Sequence, residues 1–136
     1  MKTSPEAGRS RVVRRVAIGL ALLALGLSVY YRALLVAAIT PNPMPHEAKS
    51  ISRGAAIWAT TCAACHGPEG RGDGPVTARL PKKPKDLTRI APPPIFPDGV
   101  LAYRIATGGV VMPAWAGVLS EQDIWDLVNF IRAQHK

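Results

Sequence analysis

Cys62-Ala63-Ala64-Cys65-His66 decides the fold of this 136-residue chain, because it holds the only two cysteines and follows them at once with a histidine. Two thiols three positions apart can each add to a vinyl group on one porphyrin edge, and the adjacent imidazole then reaches the iron from the proximal side, which is the attachment pattern of a c-type haem. Three other chemistries use the same residue types: a Cys62 to Cys65 disulfide, a thioredoxin-like redox pair, and half of a zinc site. A zinc site normally brings a second Cys or His pair, and only the scattered His46 and His135 are left to supply it. A thioredoxin motif belongs in a βαβ pattern, and no convincing alternation of apolar and polar residues runs through the chain. The expected cofactor is therefore one covalent haem c.

Immediately upstream, residues 46–61 read as a helix that delivers the chain into the motif, with Ile51, Ala55 and Trp58 on one face. Gly54 on that helix offers a place where another backbone can come close. Far downstream, Ser120 and Asp123 form a capping-box pattern ahead of an apolar stripe of Ile124, Leu127, Val128 and Ile131, which Trp125 and Phe130 widen. Two helices with apolar stripes at opposite ends of a small domain should pack on each other, and Gly54 is the expected crossing. Between them, Asp98 is the expected cap of a third helix over residues 99–107, ended by Gly108-Gly109.

The other end of the chain is a different material. A basic stretch over residues 1–15 precedes an apolar run over residues 16–39 that is interrupted once, by Arg32, and reaches the roughly 20 residues a membrane helix requires. Arg9, Arg11, Arg14 and Arg15 lie before that run and no comparable cluster lies just after it, which puts the N-terminus in the cytoplasm and the rest outside a bacterial cytoplasmic membrane. A cleaved signal peptide ending near Ala37-Ala38 is the competing reading. Tyr30-Tyr31 followed by Arg32 resembles an interfacial girdle with a snorkelling arginine; alternatively Arg32 lies in the bilayer and pairs with another helix. Residues 40–49 begin with the proline-rich TPNPMP and read as a linker, leaving residues 50–136 as the haem domain.

Lys2, Arg9, Arg11, Arg14, Arg15 and Arg32 against Glu6 carry +5 of the formal charge of +8, so only +3 belongs to everything after residue 40. More than half of the net charge is thus a matter of membrane topology, which argues against a nucleic-acid partner. One local cluster remains: Arg79, Lys82, Lys83, Lys85 and Arg89, interleaved with Pro81 and Pro84 and opposed by Asp86. It reads either as a solvated loop or as a patch that steers an acidic partner.

Gly54 through Trp58, CAACHG, GRGDGP, ATGGVVMPAW and LSEQDIWDLVNFIR together resemble a class I cytochrome c domain over about residues 50–136. The resemblance is strongest to the membrane-anchored, single-haem bacterial domains that accompany respiratory quinol-oxidising complexes and terminal oxidases. It implies an all-α fold of three to five short helices around haem c, preceded by one transmembrane helix. It implies attachment through Cys62 and Cys65, iron ligation by His66 and by Met112 of the Met-Pro segment, and a Pro75 carbonyl that accepts a hydrogen bond from His66. Met112 taken alone could equally be a core methionine, and GDGP a plain turn. The implied activity is electron carriage rather than enzymatic turnover, between a membrane-bound donor and acceptor that include other subunits of a respiratory or photosynthetic complex. The rival is a haem enzyme or gas sensor, which needs an open or displaceable distal ligand.

Overall fold

The computed structural model describes residues 5–135 and contains five α-helices: α1 (Pro5–Ile39), α2 (Ala48–Thr61), α3 (Ala63–His66), α4 (Asp98–Thr107) and α5 (Glu121–Ala133). Single 3-10 turns occur at Thr77–Arg79 and Leu87–Arg89, and among the described residues the β-type pairing is confined to a bridge between Ala116 and Leu119. The fold is all-α, as the sequence implies. The chain divides into two units, residues 1–36 and 37–136.

Most of α1 lies in the first unit. This helix is described from Pro5, upstream of the apolar run, and the arginine-rich residues of its first turns are good helix formers. Leu20, Leu23 and Leu27 are exposed along it, and the stretch Ser10–Ile39 is by length and composition apolar enough to cross a membrane.

In the second unit α2 crosses α5 at Gly54. A side chain there would drive its Cβ into the Asp126 carbonyl and to 2.9 Å from the Phe130 Cβ, so the approach of the two backbones depends on a bare Cα. Leu127 and Val128 are fully buried at this interface, with Trp58, Ile124, Phe130 and Ile131 around them. α5 opens with the expected capping box: the Ser120 hydroxyl accepts from the Asp123 N–H at 3.1 Å and the Asp123 carboxylate accepts from the Ser120 N–H at 3.0 Å.

Two expectations about helix starts are corrected. α2 begins at Ala48 rather than His46, because the Glu47 N–H is drawn into a turn with the Pro45 carbonyl at 2.9 Å. Asp98 is the first residue of α4 and not its cap; its carboxylate instead accepts from the Arg132 Nε at 2.7 Å, tying α4 to the end of α5. Arg132 also donates to the carbonyls of Ala91 and Phe96, so one guanidinium organises the 91–98 segment.

A buried polar network runs beside the apolar core. The fully buried Asp126 carboxylate accepts from the Ser50 hydroxyl and from Arg53 Nε and Nη2 at 2.6 and 2.9 Å. Burial alone would raise the Asp126 pKa, but the hydrogen bonds from Arg53 and Ser50 outweigh it and hold the carboxyl below the usual range. Asn129 donates to the Ser50 hydroxyl at 2.8 Å and to the Pro45 carbonyl at 3.1 Å, and accepts from Asn42 at 2.7 Å. Residues 42–45 are therefore docked on α5, with Met44 packed against the core.

Candidate functional site

The five-residue motif forms a continuation of α2. Cys62 keeps right-handed helical angles (φ −112°, ψ −35°), its N–H donates to the Trp58 carbonyl at 2.9 Å, and its own carbonyl accepts from the His66 N–H at 2.9 Å. That bond places Cys62 and His66 one turn apart on the same side of the helix. Both cysteines are free thiols and half-buried, so the pair is not a disulfide. Burial pushes the Cys62 thiol up, against the lowering influence of the Thr61 hydroxyl 3.3 Å away.

His66 is held by its neighbours rather than by a polar partner. The Trp58 indole lies 5.6 Å from the imidazole, centroid to centroid, and 5.4 Å from the Phe130 ring, while its Nε1–H donates to the Gly67 carbonyl at 2.9 Å. Trp58 thus links the α2–α5 core to the turn that follows the histidine. Burial lowers the His66 pKa below the ordinary imidazole value. Its Nδ1 is buried with no hydrogen-bond partner.

Pro75, the expected acceptor for His66, lies on the loop that follows the motif. The loop carrying Pro75 is pinned by backbone bonds on either side of it, from Gly74 N–H to Cys65 O at 3.3 Å and from Val76 N–H to Ala64 O at 3.1 Å, and Pro75 itself is exposed. A Cβ on Gly74 would run into the Ala64 carbonyl, so this loop lies directly on α3.

Met112 sits on the segment between α4 and α5, half-buried against the same apolar core that Cys62 and Ala63 touch. Its carbonyl accepts from the Gly109 N–H at 2.9 Å, and the residues after it satisfy the last carbonyls of α4, with Trp115 N–H on Ile105 O at 3.2 Å and Ala116 N–H on Ala106 O at 3.0 Å. Met44 is part of the docked 42–45 segment. His46 and His135 line a separate cavity of about 400 Å³ together with Pro92, Pro93, Asp98 and Arg132. Arg79, Lys82, Lys83, Lys85 and Arg89 are all exposed.

Sequence reasoning placed Trp58 on the packing face but missed its link to Gly67 and His66; the signal available was an indole N–H within a short loop of the motif, which must find an acceptor when buried. It also missed the Asp126–Asn129 network, announced only by two polar residues inside the apolar run IWDLVNFI.

The family model described as cytochrome c oxidase, cbb3-type, subunit III matches residues 49–131. Cytochrome c6 of Alaria esculenta is 29% identical over 84 residues, covering 62% of this chain and 91% of its own. Cytochrome c6 of Thermosynechococcus vestitus is 29% identical over 102 residues, covering 75% and 82%. Among solved structures, a chain of the reducing HAO-like protein complex of Kuenenia stuttgartiensis superposes with a TM-score of 0.59 at 28% identity, covering 69% of this chain. This chain spans about half of that one, 47% of its length. Membership in such a family implies covalently bound haem c. The residues present fit that group by the chemistry of their donor set: two free thiols on one helical turn, followed directly by an imidazole packed against Trp58.

Proposed function

Because the chain belongs to the cytochrome c oxidase, cbb3-type, subunit III family of c-type cytochrome domains, we propose that this electron-transfer cytochrome works as a membrane-anchored, single-haem carrier. In this reading it relays one electron at a time between membrane-bound partners of a respiratory or photosynthetic chain. The observation that carries it is the Cys62–His66 turn: both thiols free on one helical turn and the imidazole packed against Trp58. Haem c, when bound, supplies a one-electron iron couple. Cys62 and Cys65 would hold it covalently, and His66 and Met112 would be the side chains that bind its iron. A thioether together with an imidazole would favour the ferrous state and leave the iron no site for substrate.

The chain's own residues do the rest. Trp58 and Phe130 exclude water from the His66 side, and Gly54 lets α5 close over α2. α1 anchors the chain in the cytoplasmic membrane with the cytochrome domain outside; its supports are the long apolar stretch and the arginines that precede it. Anchoring replaces three-dimensional diffusion by a high effective concentration near membrane partners. The exposed cluster from Arg79 to Arg89 faces an acidic partner surface and speeds encounter.

The test is optical. The oxidised, detergent-extracted protein should show the far-red sulfur-to-iron charge-transfer band, and Met112→Ala should lose it. Rapid carbon monoxide binding by the reduced wild type, with no such band, would instead make the distal position displaceable and move a sensor or enzyme ahead of the carrier.

A further inference from the structure

Gly108 and Gly109 are adjacent and identical in sequence terms, yet they occupy very different surroundings. Gly108 ends α4 with φ +71°, the left-handed region in which side chains are strained. A Cβ at Gly108 would lie 2.5 Å from the Met112 carbonyl oxygen, 2.7 Å from the Ala114 nitrogen and 2.7 Å from the Pro113 carbonyl carbon. All three are backbone atoms, which cannot swing aside as a flexible side chain can. The Met112–Ala114 backbone is thus seated on the bare face of Gly108. Gly109, by contrast, would bring its Cβ no closer than 3.7 Å to anything, the neighbour being Arg104 Nη1.

We propose that Gly108 is the positioning residue for Met112: its missing side chain lets the Met112–Ala114 backbone rest against the end of α4, and that seat determines where the thioether is presented. The proposal deepens the carrier reading and rests on Met112 being the distal ligand. Four further hydrogen bonds hold the seat. Gly109 N–H clamps the Met112 carbonyl at 2.9 Å, Trp115 and Ala116 cap the Ile105 and Ala106 carbonyls, and the Arg104 guanidinium reaches forward to the Gly108 carbonyl at 3.2 Å. The segment therefore serves as the C-terminal cap of α4. A helix end lies in a rigid part of the core, since Leu101, Ala102 and Ile105 of α4 are buried. The ligand is thereby delivered by the scaffold rather than recruited from a free loop.

The two glycines provide a matched pair for the test. Gly108→Ala and Gly109→Ala add the same methyl group at neighbouring positions, and both are read in the full-length, detergent-extracted protein against wild type and Met112→Ala. Gly108→Ala is expected to lose the sulfur-to-iron band in the oxidised form and to bind carbon monoxide rapidly when reduced, as Met112→Ala does. Gly109→Ala is expected to keep the band and to exclude carbon monoxide like wild type. Far-ultraviolet circular dichroism identifies folded samples. Should Gly108→Ala fail to fold, Arg104→Met is read instead, since it removes the tie to the Gly108 carbonyl without adding bulk; a severalfold faster carbon monoxide uptake is expected. A band retained in Gly108→Ala, equal loss in the two glycine variants, or unchanged uptake in Arg104→Met overturns the positioning role. A band that survives Met112→Ala overturns the ligand assignment itself, which the glycine pair leaves distinguishable.

Discussion

The indole of Trp58 donates to the carbonyl of Gly67 at 2.9 Å, so a residue inside α2 holds the first backbone group past His66. The same ring touches both His66 and Phe130, and packing of the helix pair is thereby coupled to the setting of the imidazole. Trp58→Phe keeps a ring in place but removes one of the two donors to the Gly67 carbonyl, which retains the Gly70 N–H at 3.2 Å, and should cost about 1 kcal/mol. Trp58→Ala also removes the ring and should cost about 3 to 5 kcal/mol. Denaturant midpoints of the two variants measure the difference; equal losses would mean that the hydrogen bond contributes nothing.

Gly54→Ala adds one methyl group where the Asp126 carbonyl already lies, and the two helix backbones must part to admit it. The expected loss is at least about 1 to 3 kcal/mol, the usual range for overpacking. Gly19→Ala in α1 meets nothing within 4 Å and serves as the comparison. Thermal unfolding of the cytochrome domain should fall for the first and hold for the second.

Asp126 makes acid stability specific to one carboxylate. Its folded pKa is depressed, so its contribution is fully present above the unfolded carboxylate value of about 4 and drains away as pH falls through the folded value. Asp126→Asn should therefore destabilise the protein by about 2 to 3 kcal/mol at neutral pH, with the deficit shrinking in acid. A deficit that stayed constant from neutral pH down through the carboxylate range would refute the assignment.

The cluster from Arg79 to Arg89 predicts a salt-dependent encounter. Replacing Lys82 and Lys83 together with alanine should slow electron exchange with an anionic reagent such as ferricyanide by about twofold or more at low ionic strength, and leave a cationic reagent unslowed. High salt should erase the difference, because exposed charges are screened beyond about 10 Å at 0.1 M. Identical rates for both reagents would place electron entry away from this patch.

The features legible in the sequence are those carried by one helix or one turn. Ser120 and Asp123 are three residues apart and cap α5 as expected; Gly54 stands on the packing face of α2 and is the crossing point. What escaped involves partners distant in sequence. Asp98 looks like a cap, but Arg132, 34 residues away, engages it instead. Asp126 and Asn129 interrupt an apolar stripe, and only the register of α5 against α2 shows that Ser50 and Arg53 receive them. The seating of the Pro75 loop escaped in the same way: its register is set by Gly74 and Val76 on the Cys65 and Ala64 carbonyls, which GDGP as a string does not encode. The seat of Met112 on Gly108 is hidden in the same way, since two consecutive glycines look equivalent until the chain has folded back over one of them.

Asn129 joins three stretches of chain, receiving Asn42 and donating to Pro45 and Ser50. The proline-rich stretch is therefore a strap across the domain and not slack rope. Where a soluble truncation starts then decides its quality. A fragment beginning at Ala37 keeps the strap, whereas one beginning at His46 strips Met44 from the core and leaves a buried carboxamide with a single companion, Ser50. Potentials or lifetimes measured on the shorter fragment would describe a loosened domain.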